Sequence, residues 1–129
     1  MAMILREFDI DASPDDAWAA LREVGRVNEL ITFLGEVSID GDTRTCELGD
    51  QGQLEELIVS AADEHRRLAY SITASPFEFE HHHASMQILP NGGQGSRFVW
   101  FSDVKPDGVA PALEQAVDAA VESFKQTLR

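Results

Sequence analysis

Residues 96–128 read SRFVWFSDVKPDGVAPALEQAVDAAVESFKQTL, and inside this stretch the hydrophobic period changes once. From Ser96 to Val104 both parities are apolar, Phe98 and Trp100 on one and Val99 and Phe101 on the other, which predicts a strand with Trp100 turned inward. Lys105-Pro106-Asp107-Gly108 then breaks the strand. From Val109 to Leu128, the residues Leu113, Val117, Ala120, Val121, Phe124 and Leu128 recur every three or four positions, with Glu114, Asp118, Glu122 and Lys125 elsewhere. That pattern predicts a long helix with one apolar stripe, and such a stripe needs an apolar sheet face to cover it.

Upstream, the chain supplies that sheet. Val37 to Ile39 and Thr43 to Leu48 flank Asp40-Gly41-Asp42, a hairpin signal. Strands are further predicted over Gln53 to Ala62, Arg67 to Ser75, and Phe77 to Leu89, with turns at Gly49-Asp50-Gln51-Gly52, Asp63-Glu64-His65, Pro76 and Pro90-Asn91-Gly92-Gly93. Met3 to Asp11 alternates as a half-buried strand. A helix follows, with Ser13 as its cap, Pro14 at its first position and Asp16 three residues after the cap; Gly25 ends its apolar run. A second short helix is predicted from Asn28 to Phe33. The expected fold is α+β, one domain over residues 1–129, in the order strand, helix, short helix, six strands, long helix.

Parity along the strands assigns side chains to the covered face. Leu68, Tyr70, Ile72 and Ala74 share one face, as do Ala84, Met86 and Ile88 on the next strand together with His82. Cys46 and Leu48 share the parity of Arg44, which could pair with Glu55 or a ligand anion if it turned inward but at a strand start is expected to be solvated or snorkelling. Gln53 to Ala62 is ambiguous: Glu55, Leu57 and Val59 share one face, and Leu54, Glu56 and Ile58 the other. On the helix, Ala116 and Ala120 beside Val117 and Phe124 leave room that larger residues would fill.

This order of elements resembles the START-like, or SRPBCC, superfamily (Bet v 1-like), and within it the small bacterial polyketide cyclase/dehydrase-like group. The resemblance runs from about Ile10 to Leu128 and rests on IDASPDDAWAAL, DGDTRTCEL, QLEELIVSAADEHRRLAYSI, HASMQILPNGG with RFVWF, and FKQTL. It implies the helix-grip fold, a curved seven-stranded antiparallel sheet around a long C-terminal helix, with two short helices after strand 1. It also implies a cavity for an apolar ligand such as a lipid, sterol, plant hormone or polyketide. Members include carriers, receptors and cyclase- or dehydratase-type enzymes. The resemblance places Glu55 inside and Glu56 outside, and aligns His82 with a pocket tyrosine of relatives. Many relatives carry a tryptophan where Leu30 stands.

The expected ligand-binding residues are therefore Cys46, Leu48, Glu55, Tyr70, Ile72, His82, Ala84, Trp100, Val117, Ala120 and Phe124. The leading expectation is binding or carrying of an apolar small molecule. The alternative is an enzyme in which Glu55 and His82 form an acid/base pair. Adjacent strand residues face opposite ways, so of His81-His82-His83 only His81 and His83 could share a metal, and no further ligands accompany them; no metal site is expected. Gly92, Gly93 and Gly95 lead into a strand rather than a helix, so no phosphate loop and no cofactor are expected. Cys46 has no catalytic partners in view and reads as a small core residue.

Net charge is −13, from 23 acidic and 10 basic residues, which argues against a nucleic-acid partner and against anionic membrane surfaces. A chain of 129 residues buries about two-thirds of its unfolded surface and needs no disulfide, and its single cysteine can form none internally. MAMILREFDID lacks the pattern of a secretory signal, and no apolar run approaches the ~18 residues of a membrane span, so a cytoplasmic protein is expected. Val99 and Phe101, if outward, would mark a patch for a homodimer or a protein partner.

Overall fold

The structure is a computed structural model and describes residues 2–129. Its elements are β1 (Ala2–Ile10), α1 (Pro14–Leu21), a 3₁₀ segment (Val24–Glu29), β2 (Val37–Asp40), β3 (Thr43–Glu47), β4 (Gln53–Ala62), β5 (Arg67–Ala74), β6 (His81–Pro90), β7 (Ser96–Lys105) and α2 (Ala110–Thr127). All seven strands join one curved antiparallel sheet in the order β1-β7-β6-β5-β4-β3-β2, a meander from β2 to β7 with β1 returning beside β7.

Local chemistry explains the ends of these elements. The Ser13 hydroxyl accepts the Asp16 N–H at 3.2 Å, and Pro14 opens α1. Gly41 takes a φ of 60° in the two-residue turn between β2 and β3, a conformation that costs a glycine nothing. A Cβ on Gly95 would lie 2.3 Å from the Ile10 carbonyl oxygen, so only glycine lets β7 start this close to the end of β1.

Two expected boundaries move. The short second helix lies earlier, as the 3₁₀ segment Val24–Glu29, and Gly25 sits inside it. Residues 77–80 are not strand, and β6 begins at His81. There Phe77 and Phe79 pack on each other, ring centroids 5.7 Å apart, and Phe77 turns toward the interior. The alternation Phe-Glu-Phe-Glu imitates a strand, but β5 and β6 pair only from Arg67 to Tyr70.

The apolar stripe of α2 packs on the concave face. Phe124 meets Phe98 and Trp100 at 4.8 and 5.7 Å, and Phe8 stacks on Phe98 at 4.7 Å. The end of α2 is tied down by the Ala12 N–H on the Leu128 carbonyl, while the Ser96 hydroxyl donates to the Ala12 carbonyl. Ser123 bridges to the segment after the 3₁₀ turn, donating to the Leu30 carbonyl at 2.7 Å and accepting the Thr32 N–H at 3.0 Å. Leu30 is itself buried. The C-terminal half of α2 thus closes a solid aromatic core. Before that, Leu113, Ala116, Val117 and Ala120 face an interior that stays open.

Candidate functional site

The open region is a cavity of about 330 Å³ between α2 and the sheet. Its floor is Leu68, Tyr70, Ile72, Met86, Trp100 and Ser102, from the inward parities of β5, β6 and β7. Its mouth is ringed by Phe33 and Leu34 after the 3₁₀ turn, Leu48 and Gln51 between β3 and β4, and Phe77 between β5 and β6. This volume is at the small end of ligand-binding cavities, and its mainly aliphatic and aromatic wall suits them.

Two charged residues interrupt that wall. Arg44 on β3 and Glu56 on β4 stand opposite each other in the strand register. Their side chains are only 4% and 7% exposed, and Arg44 Nε–H donates to Glu56 Oε1 at 2.8 Å. Arg44 Nη1 also donates to the Val24 carbonyl at 3.1 Å, and the Cys46 thiol lies 3.8 Å from Glu56 Oε1. Either charge alone in this setting would be costly, so the pair is what permits both to be inside.

This pair corrects two sequence expectations. Arg44 is buried and paired rather than solvated. Glu55 is on the outer face, opposite Thr45, and Glu56 faces in. The reason is non-local: the β3–β4 register sets Glu56 against an inward arginine, whose burial demands an acid there.

His82 is inside, 4% exposed, but it is absent from the cavity wall. It repairs the sheet where β5 and β6 diverge. The Ile72 N–H donates to His82 Nδ1 at 2.9 Å, and the Ser71 hydroxyl donates to the His82 carbonyl. Burial, then the neighbouring His83 and His81, lower its pKa to about 4, so the ring is neutral with its proton on Nε2. With Glu55 outside and His82 committed to the backbone, the expected acid/base pair does not form.

Of the other expected residues, Leu48, Tyr70, Ile72, Trp100, Val117 and Ala120 line the cavity. Cys46, Ala84 and Phe124 are fully buried in the packed core outside it. Burial, followed by the Glu56 charge, pushes the Cys46 thiol up to about 12, so it stays protonated beside the carboxylate. Burial likewise raises Tyr70, again with Glu56 adding to the effect, and its oxygen accepts Trp100 Nε1–H at 3.1 Å. Sequence reasoning missed the Arg44–Glu56 pair as a unit, although Arg44's shared parity with Cys46 and Leu48 was the signal that could have found it. His81 and His83 take the outer face, and Val99 and Phe101 point outward as well.

A family model described as polyketide cyclase / dehydrase and lipid transport matches residues 1–129. The chain belongs to this family. Solved structures agree on the START-like helix-grip fold. XoxI from Bacillus cereus superposes with a TM-score of 0.91 at 16% identity, over 99% of this chain and 96% of that one. A START superfamily protein from Mycobacterium smegmatis gives 0.80 at 10% identity, over 98% and 96%. Norcoclaurine synthase from Thalictrum flavum, in complex with dopamine and hydroxybenzaldehyde, gives 0.69 at 15% identity, over 97% and 84%. A search of curated proteins found no match. The polyketide cyclase / dehydrase and lipid transport family thus accounts for an apolar cavity gripped by α2, and among the described residues no helix is long and apolar enough to cross a membrane.

Proposed function

We propose that the protein binds and carries an apolar small molecule, a lipid, polyketide or similar compound, in the cavity between the sheet and α2. The observation that carries this is the cavity itself. A fold whose core is otherwise packed leaves about 330 Å³ open beneath the small residues Ala116 and Ala120, inside a wall of aliphatic and aromatic side chains. Interiors normally close to crystal-like density, so an opening of this size under small helix residues supports a role in binding. The reading makes the protein a cytoplasmic carrier or receptor, with the ligand held away from water rather than handed to a membrane by insertion.

The test is titration of the neutral dye N-phenyl-1-naphthylamine, whose fluorescence rises in apolar surroundings, into the protein and into Ala120→Leu. Saturable one-to-one binding in the micromolar range, weakened at least tenfold by the leucine, is expected. No saturable binding to the unaltered protein would overturn the reading.

A further inference from the structure

The polar groups of the cavity wall carry unused hydrogen-bonding capacity of a particular kind. Glu56 Oε1 already takes the Arg44 Nε–H and the Cys46 thiol, and Arg44 Nη1 already serves the Val24 carbonyl. Glu56 Oε2 and Arg44 Nη2 carry no such bond. Among the described residues, the one buried side-chain nitrogen or oxygen without a partner is His82 Nε2. The spare atoms of the ion pair are therefore not sealed in protein, and because both residues line the cavity, those atoms front it. Tyr70, also in the wall, uses its oxygen to accept from Trp100 Nε1 and keeps its hydroxyl hydrogen to donate.

The cavity thus offers one anionic acceptor, Glu56 Oε2, and donors from Arg44 and Tyr70, with the charges of the Arg44–Glu56 pair cancelling and the neutral Ser102 hydroxyl and Gln51 amide as the wall's other polar side chains. Chemical classes of ligand divide sharply on this. A hydroxyl has one hydrogen and two lone pairs, so it can donate to Glu56 Oε2 while accepting from Arg44 or Tyr70. A carboxylate has acceptors only. It could engage the donors, but it would set a second negative charge against Glu56 with nothing in the wall to balance it. An ammonium would meet the mirror problem at Arg44. A ketone would leave Glu56 Oε2 without a partner, which costs a buried acceptor its hydration.

We propose that the cavity selects a neutral amphiphile whose polar end is a single hydroxyl, an alcohol or a phenol on an apolar skeleton, over the carboxylate of the same skeleton. Glu56 is the residue that discriminates. This rests on the reading of the cavity as a ligand site, and the experiment separates the two.

Naphthalene, 1-naphthol and 1-naphthoate share one ring system and differ only in the polar group. Each is measured at pH 7 by displacement of N-phenyl-1-naphthylamine and by direct calorimetry, on the unaltered protein and on Glu56→Gln. A hydrogen bond to a charged group contributes about 1.5–3 kcal/mol, so naphthol should bind at least tenfold tighter than naphthalene and at least tenfold tighter than naphthoate. In Glu56→Gln the guanidinium is left without its counter-charge, and the order of naphthol and naphthoate should reverse. A merely structural pair would weaken all three probes together. Equal affinity for naphthol and naphthalene, or naphthoate binding as tightly as naphthol to the unaltered protein, would overturn this inference while leaving the cavity a binding site. An unchanged ratio in folded Glu56→Gln would overturn the assignment to Glu56. If none of the three probes nor the dye binds, the cavity reading fails and the selectivity with it. Should Glu56→Gln not fold, the comparison on the unaltered protein still decides.

Discussion

Breaking the Arg44–Glu56 pair one partner at a time should be far more damaging than removing it whole. In Arg44→Met the Glu56 carboxylate stays inside with only the Cys46 thiol beside it, and in Glu56→Leu the guanidinium keeps only the Val24 carbonyl. Loss of one partner of a buried pair costs about 3–5 kcal/mol. Because the spare atoms front the cavity, where water can reach them, the low end of about 3 kcal/mol applies to each single variant. Unfolding entropy of about 2.1 cal/mol/K per residue over 129 residues gives about 0.27 kcal/mol/K. Each single variant should therefore melt about 11 °C below the parent. The double variant removes both charges and leaves an apolar patch, so its loss should stay within about 1 kcal/mol, or about 4 °C. Urea unfolding followed by circular dichroism, with unchanged m, gives the four corners of the cycle. A double variant that loses the sum of the singles, about 6 kcal/mol, would refute the claim that the two charges hold each other in the wall.

Three further outcomes follow from neighbouring contacts. His82 titrates at about 4 in the folded protein against an ordinary 6.5, so as pH falls the unfolded chain takes the proton first. Stability is then complete above pH 6.5 and falls by about 3 kcal/mol toward pH 4 on this group's account. His82→Phe should be about 1–3 kcal/mol less stable than the parent at pH 7, because the Ile72 N–H loses its acceptor, and that deficit should shrink or vanish by pH 4.5; a constant difference across the range would contradict the neutral buried ring. Ala120→Leu fills cavity space, so its melting temperature should match or exceed the parent while dye binding weakens, and a large destabilisation would mean that no open space lies above Ala120. Ser123→Ala strips the Thr32 N–H of its acceptor and the Leu30 carbonyl of one of its two hydroxyl donors, and should cost about 1–2 kcal/mol by chemical denaturation.

The fold was legible in the sequence because its signals are local. Ser13 and Pro14 mark a helix start by their own chemistry, Gly41 marks a hairpin, and the stripe from Leu113 to Leu128 repeats over a long run. Parity alone was enough to reduce His81-His82-His83 to one inward ring. The polar part of the site was not legible. Leu54-Glu55-Glu56-Leu57 carries one leucine and one glutamate on each parity, so the strand by itself gives no preference. The choice is made by Arg44, twelve residues away, through the β3–β4 register. Residues 77–80 differ for the opposite reason: their local pattern is that of a strand, but the β5–β6 register sets them opposite residues 74–77, the connection itself, and on the other side β7 ends at Lys105.

A crystal structure of the protein grown with 1-naphthol addresses the central claim most directly. The account predicts one naphthol between α2 and the sheet, its rings against Leu68, Met86 and Val117, and its hydroxyl within hydrogen-bonding distance of Glu56 Oε2 and of Arg44 or Tyr70. A core closed by its own side chains, or a naphthol bound only outside it, would contradict the account.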